Sequence, residues 1–318
     1  MLIDKIMRSL IGKFNNLLEY TGIGSKSYFH AQSPILYDPD DMHKYYMDLT
    51  IRADYDGPFD DNDVPLLTAQ GMTTYHPVHI IFYALGNFEL YKSNHDDEKL
   101  IKCKRAGDWL VGNQTADGTW LSPFKMPKFN INPPSRSAMT QGLAMSFLLR
   151  AYDEIRIEEY LESAVSALEV FKRAIDEGGV TSYTDGCSFY EEYPGQPVRH
   201  VLNGFIYALW GLYDMARFLD NNEAKNLFTA GLETLVKWLP EYDIGYWSLY
   251  HIDDSKQRHN PATVHYHKLH ISQLEILHLI TGKEIFKEYR DKWELYSQNR
   301  LNAVRTLPAK IAWDILGS

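Results

Sequence analysis

The sequence predicts a mainly α protein, an (α/α) toroid of about four helical hairpins preceded by a short N-terminal helix and strand segment. Three observations lead there. Apolar residues recur with a 3.6-residue period in eight runs beyond residue 70. The connections between runs alternate, tight near residues 94, 155, 220 and 281 and long over 114–135, 178–198 and 239–263. In an up-and-down array every second connection lies at the same end, so the long loops share one face. Loops longer than about 12–15 residues are usually functional, which makes that face the expected active one.

In chain order, Leu2, Ile3, Ile6, Leu10, Phe14, Leu17 and Leu18 form one stripe of an amphipathic helix over residues 1–20. Such a stripe packs on its own protein or on a partner subunit, which leaves a homodimer open. Gly22 and Gly24 end it. Residues 44–55 alternate, with Met47, Leu49, Ile51 and Ala53 on one side and Asp48, Thr50, Arg52 and Asp54 on the other, which predicts a half-buried strand. Turn chemistry from Asp56 to Asp63 sets a boundary, giving an N-terminal segment over 1–65 and a catalytic domain over 66–318. The helices are expected over 77–92, 97–113, 136–153, 158–177, 199–219, 222–238, 264–280 and 283–298. Pro77 suits a first helical turn. Thr281 with Glu284 reads as a capping box.

Composition excludes several classes. The chain has 318 residues, 45% hydrophobic and 23% charged, enough for a large core. Its net charge of −10 and pI near 5.6 argue against a nucleic-acid partner, which is held through clustered Lys and Arg. Two cysteines, Cys103 in a helical pattern and Cys187 in a loop, make no disulfide framework and no four-ligand zinc site, so a reducing compartment is expected. Asp4, Lys5, Arg8 and Lys13 interrupt the first helix, unlike the core of a signal peptide. No segment reaches the roughly 18 apolar residues of a membrane span. A soluble, cytoplasmic protein is the expectation.

The densest chemistry runs from Phe189 to Pro194, through Pro197 and Arg199, to Val201–Tyr207. Glu191 and Glu192 sit between Tyr190 and Tyr193, and about ten residues later a helix begins with Asn203 and Gly204 in its first turn. Taken singly, these residues would pass for a solvated rim. Held on a loop by rigid helices, they mark a candidate site. Tyrosine is abundant, at 22 residues. Tyr193, Tyr246, Tyr250 and Tyr266 fall in the long loops or at the adjoining helix start, with Trp120 on the first loop and His79, Gln141 and Asn203 at helix starts. Aromatic faces that stack on sugars, with polar tips for hydroxyls, describe a carbohydrate cleft. His265, His267 and His270 form H-x-H-x-x-H, but on a helix 265 faces away from the other two, so substrate or scaffold hydrogen bonds are expected from them. No P-loop, G-x-G-x-x-G or G-x-S-x-G pattern occurs. With no metal set, the expected cofactor list is empty. Glycoside hydrolysis needs two carboxyls facing one bond, whereas neighbours such as Glu191 and Glu192 usually point apart.

The ordered motifs resemble the C-terminal catalytic domain of D-glucuronyl C5-epimerases. Ser137–Gly142 resembles S-A-M-A-Q-G and Leu149–Tyr152 resembles V-R-A-Y. Tyr190–Pro194 reproduces Y-E-E-Y-P and Val201–Phe205 reproduces V-L-N-G-F. Gly211–Asp214, Tyr242–Gly245, Tyr250, Tyr266–His267, His270–Ile271 and Gln273–Leu274 follow in register over roughly 70–298. The resemblance implies an (α/α) toroid with Tyr193, Tyr250 and Tyr266 as catalytic tyrosines and Glu192 as their partner carboxylate. It also implies that Asn203, Gln141, Arg136, Arg199, His267, His270, Tyr190 and Trp120 contact an acidic polysaccharide. Two departures stand out. Tyr250-His251-Ile252-Asp253-Asp254 replaces the family's Y-D-L-R-H, and Thr263-Val264-His265-Tyr266-His267 replaces R-W-D-Y-H, so two basic residues beside the site are missing. The β-rich N-terminal domains of larger members are expected to be reduced to residues 1–65.

The activity so implied converts D-glucuronate to L-iduronate in a heparosan-like polymer. It removes the C5 proton from one face and returns one to the other, with Tyr250 and Tyr266 expected on opposite faces of the sugar and Tyr193 with Glu192 completing the relay. A polysaccharide lyase or uronyl hydrolase on the same fold is the alternative, and a non-catalytic carbohydrate-binding protein a second.

Overall fold

In the computed structural model the described residues are 34–253 and 260–316. The expected helix over 1–20, the breaks at Gly22 and Gly24, and Asp254 lie outside them. The chain divides into two compact units, one over Ser33–Trp238 and the other taking in the chain from Leu239 onward. Among the described residues no helix is long and apolar enough to cross a membrane.

The unit Ser33–Trp238 begins with irregular chain and a short antiparallel pair, β1 (Leu67–Ala69) and β2 (Met72–Thr74). Three helical hairpins follow. They are α1 (Pro77–Asn94) with α2 (Asp97–Asn113), α3 (Ala138–Ile155) with α4 (Glu158–Ser166), and α5 (Leu202–Leu219) with α6 (Asn222–Trp238). Helix α3 packs on both α1 and α5, forming an inner row, while α2, α4 and α6 pack outside their partners. The starts follow local chemistry. Pro77 occupies the first turn of α1, Asp96 accepts the Glu98 N–H ahead of α2, and Ser137 accepts the Thr140 N–H ahead of α3.

The motif residues explain how α3 and α5 meet. Gly142 and Gly211 lie at the crossing, where a Cβ on either would overlap backbone of the other helix. Beside it Arg150 and Asp214, both fully buried, form a two-pronged ion pair with N–O distances of 2.6 and 3.2 Å. Tyr46 donates to the same carboxylate at 2.9 Å, and Arg150 also donates to the Ser146 and Lys44 carbonyls.

Three expected elements differ. Residues 44–55 are not a strand: Met47 makes one bridge to Ile35, and Thr50–Asp54 is a 3-10 turn. Asp48 accepts from the Thr50 N–H and hydroxyl, starting the turn, and bare Gly86 of α1 lets Leu49 and Ala53 lie against it. The helix expected over 158–177 stops at Ser166, because Gln114 donates to the Ser163 carbonyl and Gly118 lies against that of Ser166. The helix expected from 199 starts at Leu202, after a short extended stretch, β5 (Arg199–Val201). An unpredicted hairpin, β3 (Thr181–Thr184) with β4 (Cys187–Tyr190), turns through Asp185 and Gly186, whose φ values are 51° and 73°. Cys187 is therefore on a strand.

The second unit contains β6 (Leu249–Asp253), β7 (Asn260–Pro261), α7 (Val264–Thr281), α8 (Glu284–Gln298) and α9 (Arg300–Leu316). Helices α7 and α8 pair around Leu274, Leu277, Phe286 and Trp293. The capping box does not form. The Thr281 hydroxyl stays in α7, donating to the Leu277 carbonyl, and Gly282 ends that helix with φ of 64°. Helix α9, beyond the last expected helix, carries Pro308 in its interior.

Candidate active site

In the Ser33–Trp238 unit the β3–β4 hairpin delivers residues 191–193 to the start of α5. The Glu191 backbone is clamped on both sides: its N–H donates to the Val180 carbonyl at 2.7 Å and its carbonyl accepts the Ala138 N–H at 2.9 Å. The two glutamate side chains, both buried, part company. Glu191 Oε1 accepts from the Ser182 hydroxyl at 2.5 Å and from His200 Nδ1 at 2.6 Å. Glu192 turns to the first turn of α5, where Asn203 Nδ2 donates to Oε2 at 3.5 Å. Gly204 makes room for it, since a Cβ there would overlap that carboxylate. The Tyr193 hydroxyl donates to Glu192 as well.

Burial lifts the proton affinity of Glu192 most, the Tyr193 hydrogen bond opposes the rise, and the Glu191 charge adds to it, leaving a pKa of about 7. This carboxyl can therefore both hold and accept a proton at neutral pH. Half-buried Tyr193 packs on Phe129 at 4.3 Å between ring centroids, and the Arg199 guanidinium lies over the same ring at 5.7 Å. The structure thus brings Tyr193, Glu192, Asn203 and Arg199 together.

Four other expected contacts face the protein instead. Tyr190 is 1% exposed, with its ring against Phe171 and Phe205 and its hydroxyl donating to the Leu227 carbonyl at 2.6 Å. Trp120, equally buried, donates to the Leu110 carbonyl. Gln141 brackets that loop, accepting the Trp120 N–H and donating to the Gly118 carbonyl. Arg136 pairs with Asp117 at 2.7 Å. Trp120, Gln141 and Arg136 thus hold the 114–120 loop, whereas Tyr190 is held by α6.

In the second unit, pairing slips between Leu249 and His251, so Tyr250 sits at an irregularity in β6, a device that re-aims a side chain. Tyr266 lies in the first turn of α7, its N–H donating to Thr263 Oγ1. Their rings touch edge to face at 4.7 Å. Lys310 Nζ lies 6.0 Å from the Tyr250 ring centre and donates to Asn260.

His267 and His270 are scaffold. Both are fully buried, their Nδ1 atoms at 2.8 and 3.0 Å from the Ser248 hydroxyl, and His267 Nε2 lies 3.1 Å from the Trp293 carbonyl. Burial pushes both imidazoles down, His267 to about 3, so they stay neutral at physiological pH. They pin Ser248, just before Leu249 and Tyr250. Among the described residues no group of three or more His, Cys, Asp or Glu side chains could hold a metal ion.

Sequence reasoning missed Ser182 and His200. The Asp185-Gly186 dipeptide is a strong hairpin signal, and reading it would have set Ser182 opposite Phe189 and brought its neighbours toward the glutamates.

A buried carboxyl poised near neutrality beside a tyrosine is equipment for proton transfer, and the helical fold carries it at a helix start. The chain belongs to the family described as D-glucuronyl C5-epimerase C-terminus, which it matches over residues 114–295. It is 36% identical over 218 residues to a D-glucuronyl C5-epimerase of Caenorhabditis elegans, covering 61% of this chain and 35% of that protein. An uncharacterized protein of Methanocaldococcus jannaschii is 33% identical over 178 residues, covering 55% of this chain and 56% of the other. The matches thus span about a third to just over half of these relatives.

Proposed function

We propose that this chain is a polysaccharide uronate C5-epimerase converting D-glucuronate to L-iduronate residues in a heparosan-like polymer. The observation that carries the reading is the Tyr193–Glu192 pair, a tyrosine hydroxyl donating to a buried carboxyl whose pKa is about 7. A tyrosine of pKa near 10 acting alone as base at pH 7 faces a mismatch of about 4 kcal/mol. Coupled to Glu192, Tyr193 can take the C5 proton while passing its own proton to the carboxylate. The C5–H electrons then move into the substrate carboxylate as an enediolate, for which Arg199 and Asn203, close to Tyr193 and Glu192, supply a cation and an N–H donor. Reprotonation from the other face completes inversion, and the family resemblance is the support for counting Tyr250 and Tyr266 among the acid–base groups. Three hairpins in inner and outer rows support the (α/α) toroid that the family resemblance implies.

Heavy water tests this reading. With a glucuronate-containing polymer, deuterium should enter C5, chain length should stay constant, and either epimer should approach the same uronate ratio. An accumulating unsaturated uronate with shortening chains would show elimination of the O4 substituent. Binding with neither exchange nor cleavage would show a carbohydrate-binding protein.

A further inference from the structure

The proton-transfer reading uses Glu192 and Tyr193 and leaves unexplained a second buried cluster one residue away. Glu191 is 1% exposed, His200 likewise, and Ser182 8%. A buried charge is costly unless paired and hydrogen-bonded. Here one carboxylate oxygen collects two short hydrogen bonds, from a hydroxyl and from an imidazole N–H, which is the pattern that suits an ionised acceptor.

The cluster is also rigid. His200 stacks on Phe189 at 3.7 Å and 15°, with Trp238 edge-on at 6.0 Å and Thr184 Oγ1 3.4 Å from Nε2. The Glu191 backbone is tied to residue 180 and to the start of α3. Rings, hairpin and helix start therefore hold the side chain in place. Glu192 meets Asn203 from α5 and Tyr193 from its own segment, and the Glu191 carboxyl, next in the chain and turned to Ser182 and His200, acts on it through charge.

We infer that Glu191, anchored by Ser182 and His200, serves as a fixed buried anion that keeps a proton available on Glu192; this role rests on the proton-transfer reading above. The two side chains have different surroundings, Glu191 held by a hydroxyl and an imidazole and Glu192 turned to the first turn of α5. Glu191 and His200 are then positioning residues, acting through Glu192 without touching substrate. The direction of the Glu191 effect agrees, since its charge raises the proton affinity of Glu192.

The test follows the infrared carboxylic-acid band of Glu192 in the full chain, identified by its loss in Glu192→Gln, from about pH 5 to 9. In Glu191→Gln, which keeps shape and an acceptor but loses charge, the midpoint should fall by about 1 pH unit. In His200→Asn, which keeps an N–H near the Nδ1 position but cannot become a cation, the midpoint should stay or rise. An unchanged midpoint in Glu191→Gln overturns the inference. So does a fall in both variants, the result expected if each merely loosened the packing. Should Glu191→Gln fail to fold, His200→Asn decides alone, a fall counting against the inference. The readout needs no turnover. A wild type inert on every glucuronate polymer would therefore refute the epimerase reading while leaving the infrared result to stand.

Discussion

Glu191 and Glu192 are adjacent in sequence and opposite in circumstance, and the difference has consequences for stability. A carboxyl with an unfolded-state pKa of 4.5 and a folded-state pKa of about 7 binds its proton more tightly in the folded state. Its contribution is complete below pH 4.5 and is lost as pH rises through about 7, for a total of about 3 kcal/mol. Urea midpoints of the wild type should therefore fall between pH 5 and pH 8, and the Glu192→Gln protein should show a smaller fall. Equal slopes in both would place the titration elsewhere. For turnover, Tyr193→Phe should keep the fold, since only a half-buried hydroxyl is lost, yet reduce epimerisation by about 10²-fold or more. Tyr250→Phe and Tyr266→Phe belong to the same series. Wild-type rates in all three would remove tyrosine as the proton carrier.

Among the helices, α3 and α5 carry the candidate site, because α3 starts on the Glu191 carbonyl and α5 starts beneath Glu192. Their crossing at Gly142 and Gly211 leaves no space for a methyl group. Gly211→Ala should cost about 1–3 kcal/mol and lower Tm by several degrees, whereas Gly245→Ala, at a turn with open space but φ of 80°, tests strain without overlap. The Arg150–Asp214 pair offers a sharper comparison. Asp214→Leu alone leaves a buried guanidinium uncompensated and should cost about 3–5 kcal/mol, whereas Arg150→Met with Asp214→Leu should recover most of it. A double variant as unstable as the single one would show that the hydrogen bonds to Ser146, Lys44 and Tyr46 matter more than the charges.

On the scale of the whole chain, a net charge of −10 works against a polyanionic partner at long range. Raising ionic strength from about 10 to 150 mM shortens the Debye length to about 8 Å and should raise kcat/KM on a long glucuronate polymer severalfold. A steep fall with salt would instead reveal a dominant basic track. Asp253 occupies the position where the family resemblance places an arginine, and Asp254 follows it. Unsulfated or lightly sulfated polymer should therefore outperform densely sulfated polymer, as competition between the two would measure.

The local code was legible and the long-range one was not. The helices at 97–113 and 222–238 have the boundaries read from periodicity, because a helix is held by bonds four residues apart and started by side chains within one turn. The Gly204 position beneath Glu192 was visible as a glycine in a first helical turn. Where a side chain faces depends on segments far away in sequence. Gln141, Trp120 and Tyr190 carry groups suited to sugar binding, yet the 114–120 loop and α6 claim them. Alternation at 44–55 promised a strand, and bare Gly86, more than thirty residues on, lets a 3-10 turn lie there instead. Motif and period alone specified most of the helices and the family to which the chain belongs. Only tertiary packing decided which of two neighbouring glutamates is anchored to a histidine and which is left poised to carry a proton, because burial, hydrogen-bond partners and charge repulsion are set by whichever distant residues the fold brings against them.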